Sequence, residues 1–211
     1  MTRKLVFDAL RTALGRPLGA DDVSVMDNAL DRLGMPEDGV SGFENALRVI
    51  LKHEGGYVDH PQDPGGATNL GVTKATWEAW VGHSVTKDAI KALTVADVAP
   101  VYRKNYWDAC RCDDLHPALA LCVFDFAVNA GPGRAVRYLQ QTVGAPQDGK
   151  IGPLTIAAAD HLITDNGAEF VIKRYCDNRR AYYRKLSTFA TFGKGWLRRV
   201  DETEAEARKL V

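Results

Sequence analysis

Glu54 and Asp63, nine residues apart, are the two carboxylates in this sequence whose settings suit acid–base chemistry. Phe43, Ala46, Leu47, Ile50 and Leu51 recur at i, i+3, i+4, i+7 and i+8 and so line one stripe of a helix. Eleven residues at about 100° each bring Glu54 to within about 20° of Phe43, so its carboxyl emerges from the apolar face. A carboxyl in apolar surroundings tends to keep its proton and is suited to act as a general acid. Asp63, among Gln62, Pro64, Gly65 and Gly66, has the opposite expectation: a solvated, tightly turned loop that keeps it ionised. Thr68 and Asn69 follow five and six residues later and are candidates to position a water molecule. Glycoside cleavage uses such a pair, one acid protonating the leaving oxygen while a second, ionised group activates water or stabilises the sugar cation. Taken singly, a Glu before two glycines is a common surface residue and Asp-Pro-Gly a common turn. Their conjunction, with a helix that aims Glu54 inward, is what points to chemistry.

Other polar residues fall where water is scarce. Asp125 and Asn129 interrupt the apolar run 117–130 four residues apart, on one side of the expected helix. Burying either without partners costs on the order of 2 kcal/mol, so each needs one. A structural or cleft-lining role suits them better than direct chemistry. Together with Tyr57 and Asn69 they are the candidate substrate contacts. Tyr102, Tyr106 and Trp107 suit either the core or a sugar platform. His53 and His60 flank Glu54 without a His-Glu-x-x-His pairing, which argues against a zinc peptidase. Cys110, Cys112 and His116 lack a second ligand pair at zinc spacing, so no metal or cofactor is expected. The four cysteines are too few and too irregularly placed for a disulfide scaffold, and reduced thiols are expected.

The elements that must position these groups are mostly helical. Residues 1–40 read as a small appendage of two short helices, 5–14 and 23–33, ending in a linker at 34–42. Ser41 and Glu44 form a capping-box pattern at the start of the helix that leads to Glu54. Residues 57–73 read as loop plus a small β-hairpin, with extended pieces at Tyr57-Val58 and Gly71-Val72-Thr73. Helices follow near 74–81, 86–92, 94–108, 117–130, 133–143, 153–163, 167–187 and 194–209, with Pro100 expected to kink or shorten the third. The expected fold is mainly α, a catalytic region at 41–120 and a helical region at 121–211 packed as one unit behind the appendage.

Composition, 45% hydrophobic and 26% charged, is that of a globular protein. A net charge of zero gives no global attraction to an anionic polymer, and nucleic acid is not an expected partner. Between residues 173 and 199, however, nine Lys or Arg face only Asp177, which reads as a basic face or a solvated helix surface. No run spans a bilayer, and the charged N-terminus lacks the apolar run of a secretory signal.

The run Glu54-Gly55-Gly56-Tyr57-Val58, then Pro61, Asp63-Pro64-Gly65-Gly66-Ala67-Thr68-Asn69 and Gly71-Val72-Thr73, resembles the signature of glycoside hydrolase family 108. Members are N-acetylmuramidases of phages and bacteria, and the Glu of the Glu-Gly-Gly-Tyr motif is their catalytic residue, which the resemblance carries to Glu54. Three later runs are similar to the predicted peptidoglycan-binding region that accompanies that domain: Phe124-Asp125-Phe126-Ala127-Val128-Asn129, Asp148-Gly149-Lys150-Ile151-Gly152-Pro153-Leu154-Thr155 and Gly195-Trp196-Leu197-Arg198-Arg199-Val200. The Glu-to-Asp interval also resembles phage-type lysozymes of another family, in which a Thr lies six residues after the Asp; here Thr68 lies five after and Asn69 holds the sixth place. The resemblance implies a lysozyme-like fold and a monomer acting on bacterial peptidoglycan, with Glu54 as catalytic acid assisted by Asp63 and Thr68. It also implies synthesis without a signal peptide and holin-dependent release to the wall. A lytic transglycosylase and a non-catalytic wall-binding or secretion-assisting protein are the competing expectations.

Overall fold

A computed structural model describes residues 3–16, 19, 22, 23, 25, 26, 29, 30, 42–59 and 66–211. The first helix, α1 (Arg3–Leu14), forms as expected. The second expected helix and Ser41 fall largely or wholly outside the described residues, as do His60 and Asp63. Helix α2 (Gly42–His53) buries Phe43, Ala46, Leu47 and Ile50, the anticipated stripe, with Glu44 in its first turn and Lys52 and His53 in its last. That charge order complements the helix dipole.

Past Glu54 the chain turns into the hairpin of β1 (Thr68–Asn69) and β2 (Val72–Thr73), paired antiparallel with Thr68 opposite Thr73 and Asn69 opposite Val72. Val58 adds a bridge to Thr68. Leu70 and Gly71 both have positive φ, 49° and 73°, the backbone of a two-residue type I′ turn. Thr73 then caps α3 (Lys74–Val81) by accepting a bond from the Thr76 amide at 3.1 Å.

Short α4 (Lys87–Lys91) and α5 (Val95–Tyr102) follow, the latter opened by a capping box of Thr94 and Asp97. Pro100 lies inside α5, and the α-helical pattern stops two residues later in a π-helical segment, Arg103–Trp107. The expected shortening is thus a change of helix type rather than a break.

Helix α6 (Pro117–Ala130) is the axis of the fold. Every residue from Ala118 to Ala127 is buried, and Pro at its start and Gly131 past its end bound it as expected. Around it pack α2, α7 (Pro132–Val143), α9 (Ala168–Arg184) and α10 (Phe189–Arg208), with α8 (Pro153–Asn166) against α7 and α9. The rings of Phe43, Trp107 and Phe124 meet at centroid distances of 5.3–5.9 Å and weld α2 to α6. One continuous apolar cluster runs from Phe43 to Ala207, so the regions on either side of residue 120 share a core. All four cysteines are buried free thiols, with Cys122 and Cys176 in contact between α6 and α9. Among the described residues no helix is long and apolar enough to cross a membrane.

Candidate active site

Glu54 stands one residue beyond the end of α2 and keeps 20% of its side chain exposed. Its Oε1 accepts a bond from Arg199 Nη1 of α10 at 2.8 Å. Its Oε2 faces the hairpin turn so closely that a Cβ at Gly71 would lie 2.8 Å from it and closer still to Tyr102 Oη. Tyr102 Oη in turn donates to the Leu70 carbonyl at 2.9 Å, fastening the turn to α5. Burial, with the Glu54 charge adding to it, pushes the Tyr102 and Tyr106 hydroxyls up, so both stay protonated donors beside the carboxylate. The apolar setting expected for Glu54 is therefore only half of what surrounds it. The other half is the Arg199 guanidinium.

Behind Glu54 runs a chain of buried polar groups. Arg199 Nε donates to Asp125 Oδ1 at 2.8 Å, and Asp125 Oδ2 accepts from Arg179 Nη1 of α9 at 2.5 Å. Arg179 Nε reaches Tyr183 Oη at 3.2 Å, and that hydroxyl donates to Asn129 Oδ1. Asp125 has no exposed side-chain surface and Arg179 only 1%. Burial works to raise the Asp125 carboxyl, but Arg179 and Arg199 outweigh it and hold the group below the usual carboxylate range. Arg179 also lies over the rings of Phe126 and Tyr183, at 4.9 and 5.4 Å. One nitrogen of each arginine, Nη2, is buried with no hydrogen-bond partner among the described residues, which costs about 1–3 kcal/mol apiece. The bonds to Asp125 and Glu54 hold the Arg199 guanidinium, and through it the Glu54 carboxyl, from behind.

The other expected site residues divide. Asp125 is the centre of this support and presents no surface to a substrate, which corrects its reading as a substrate contact and favours the structural alternative. Asn129 is exposed and borders a cavity of about 400 Å³ beside Glu54. Asn69 is buried, and its amide donates to the carbonyls of Ile90, Lys91 and Leu93 at 3.0–3.2 Å, closing the end of α4. That amide is committed to the fold, and a role in holding water does not fit it. Thr68 is half-buried, with its backbone paired to Val58 on one side and Thr73 on the other. Tyr57 is half-buried with the Lys91 ammonium 5.7 Å from its ring centre. Tyr102 and Trp107 belong to the core, and Tyr106 is half-buried against Tyr102.

Arg199, Arg179 and Gly71 are the site-forming residues that sequence reasoning passed over, while Tyr102, read as core or sugar platform, proves to be core that also fastens the turn. The basic run 173–199 divides: Lys173, Arg174, Arg184, Lys185, Lys194 and Arg198 are exposed as expected, whereas Arg179 and Arg199 turn inward and Arg180 pairs with Asp177, Asp201 and Glu204. A signal for Arg179 was present. Ala168, Val171, Ile172, Tyr175, Cys176 and Tyr183 form one buried stripe, and position 179 falls within it.

Comparison with known proteins adds family evidence to this geometry. A family model described as Glycosyl hydrolase 108 matches residues 47–131, and one described as Predicted Peptidoglycan domain matches residues 134–201. The solved structure of Brucella abortus SagA is 45% identical in sequence, with a TM-score of 0.69, over 80% of this chain and 94% of that one. No curated protein matches the chain.

Proposed function

The chain belongs to the glycosyl hydrolase 108 family, with a mainly α, lysozyme-like fold, and on the premise that it is a glycoside hydrolase acting on peptidoglycan we propose that it is an N-acetylmuramidase with Glu54 as general acid. The bond cleaved is the β-1,4 link between N-acetylmuramic acid and N-acetylglucosamine. The observation that carries this reading is the Glu54 carboxyl, held between Arg199 and the turn at Gly71 with part of its surface open.

A carboxylic acid has one O–H donor and one acceptor oxygen. With Oε1 accepting from Arg199, the proton belongs on Oε2, which then donates it to the leaving glycosidic oxygen. Once the proton has gone, Arg199 stabilises the carboxylate that remains, and the Asp125 and Arg179 pairs keep Arg199 from following the substrate. Asp63 is proposed as the assisting carboxylate and Thr68 as the residue that orients water, on their spacing from Glu54. Action on the wall after release from the cytoplasm, as a monomer, belongs to the same proposal.

Glu54→Gln keeps the size and acceptor oxygen while removing the proton donor, and is expected to lower lysis of purified wall by at least 10³-fold. Lysis at the wild-type rate would end the assignment. A lytic transglycosylase, which works with a single acid such as Glu54, is the second reading. Mass spectrometry of the released fragments separates the two, a reducing end marking hydrolysis and an anhydro sugar the alternative.

A further inference from the structure

The cavity beside Glu54 has a chemistry that neither proton donation nor glycan binding explains. Its walls are the end of α2, with Lys52 and His53, and one face of α10, with Trp196, Arg198, Arg199 and Glu202. At about 400 Å³ it is large enough for a small-molecule fragment. It shares Arg199 with Glu54 and includes His53, the residue before Glu54, so it adjoins the proposed acid without being lined by it.

Two of its cations are exposed and only loosely paired, Arg198 with Glu202 and Lys52 with the charge of Glu206. Arg198 is 77% exposed and comes no closer than 3.9 Å to Glu202, while Lys52 is exposed and makes no hydrogen bond among the described residues. Glu202 is instead drawn to His53 Nδ1 at 3.3 Å. Trp196 is stacked on Tyr183 at 5.2 Å, which fixes it as a rigid apolar wall, and Asn129 borders the same space. Exposed cations, a fixed ring and an amide suit a short anionic peptide better than a neutral sugar.

Resting on the reading of the site as a peptidoglycan glycosidase, we propose that this cavity binds a carboxylate of the peptide stem carried by muramic acid. The sugar rings of the glycan carry no charge, and the lactyl group of muramic acid is consumed in the amide link to the stem. Free carboxylates therefore sit on the peptide. The stem leaves from the same sugar whose glycosidic bond Glu54 would protonate, so a cationic cavity adjoining Glu54 is within its reach. Lys52 and Arg198 would hold the carboxylate, and the small side chains of the stem would lie on Trp196.

The test is calorimetric titration of the wild-type chain with a synthetic stem tetrapeptide, which a glycosidase does not consume, and with the same peptide carrying amidated carboxyls. Binding that weakens at least tenfold on amidation, and at least tenfold in K52A/R198A, supports the site. Both residues are exposed, so this variant is expected to fold, and its melting curve checks that. No binding, equal binding of the amidated peptide, or unchanged binding by the variant overturns the proposal. A second readout is the ratio of kcat/KM on stem-bearing glycan to that on glycan stripped by an amidase, expected to fall at least fivefold in the variant. Peptide binding by a chain that cleaves neither glycan would sink the glycosidase reading and leave the cavity assignment standing. An unchanged ratio in an active variant would do the reverse.

Discussion

Replacing Gly71 with alanine puts a methyl group into the one place where the hairpin turn, Tyr102 and Glu54 converge. The added Cβ would lie 2.8 Å from Glu54 Oε2, and ordinary contact begins at 3.4 Å, so the carboxyl has to retreat by the difference of about 0.6 Å unless the turn itself moves. A misplacement of about 1 Å costs on the order of 10²-fold in rate. G71A is therefore expected to lose between about 10- and 100-fold in kcat, or roughly 1.4–2.7 kcal/mol of barrier. Stability falls as well. An alanine at φ +73 carries a left-handed penalty of about 1–2 kcal/mol, and losing the bond from Tyr102 to Leu70 about 1 kcal/mol more. Together these lower the melting temperature by about 5–10 °C for a chain of this size. Gly82 supplies the control, since it has nearly the same backbone, φ +80, with nothing within 4 Å of its added Cβ. G82A should show the strain without the retreat: a small fall in melting temperature and wild-type turnover on purified wall. Wild-type turnover in G71A, or equal losses in the two variants, would refute the claim that the turn places Glu54.

The remaining expectations concern the groups behind the carboxyl and beside it. R199K keeps the charge but cannot bridge Glu54 and Asp125 through two fixed donors, so kcat should fall at least tenfold in steady-state assays of wall turnover. D125A leaves the buried Arg179 without its carboxylate and Arg199 with Glu54 alone, and should cost about 3–5 kcal/mol, read as a large drop in the midpoint of a urea melt. Because the Asp125 carboxyl is held below its ordinary range in the folded chain, its contribution is fully present above about pH 4 and is lost as pH falls through the lowered value. Thermal melts should therefore show an acid-side loss of stability that D125N lacks in part. N69A removes three bonds to the end of α4 and should cost about 1–3 kcal/mol of stability, with kcat per folded molecule unchanged. A selective fall in kcat would instead restore Asn69 to the chemistry.

Much of the architecture was legible without coordinates because it rests on local physics. The helical period in Phe43, Ala46, Leu47 and Ile50 and the Pro and Gly at the ends of the run 117–130 each depend on neighbours in sequence, whereas Gly71, read as part of an extended piece, lies in the turn itself. The same locality put Glu54 on the inner face, one residue past the end of α2. It also required that Asp125 find a partner, since a buried carboxylate without one is too costly.

Which partner it finds is another matter. Arg199 lies 145 residues from Glu54 and Arg179 lies 54 from Asp125, distances over which no local preference operates. The sign of a side chain can be read from a sequence, but whether an arginine reaches water or a carboxylate depends on how α6, α9 and α10 cross. That is why Arg179 and Arg199 read as part of a basic surface and Asn69 as a water-holder. By itself the sequence determined that a carboxyl would emerge at position 54 and that a charged group would be buried in α6. Only the packing of helices distant in the chain decided that the two are joined through one arginine, because ion pairs and shared cavities arise from surfaces that meet after folding.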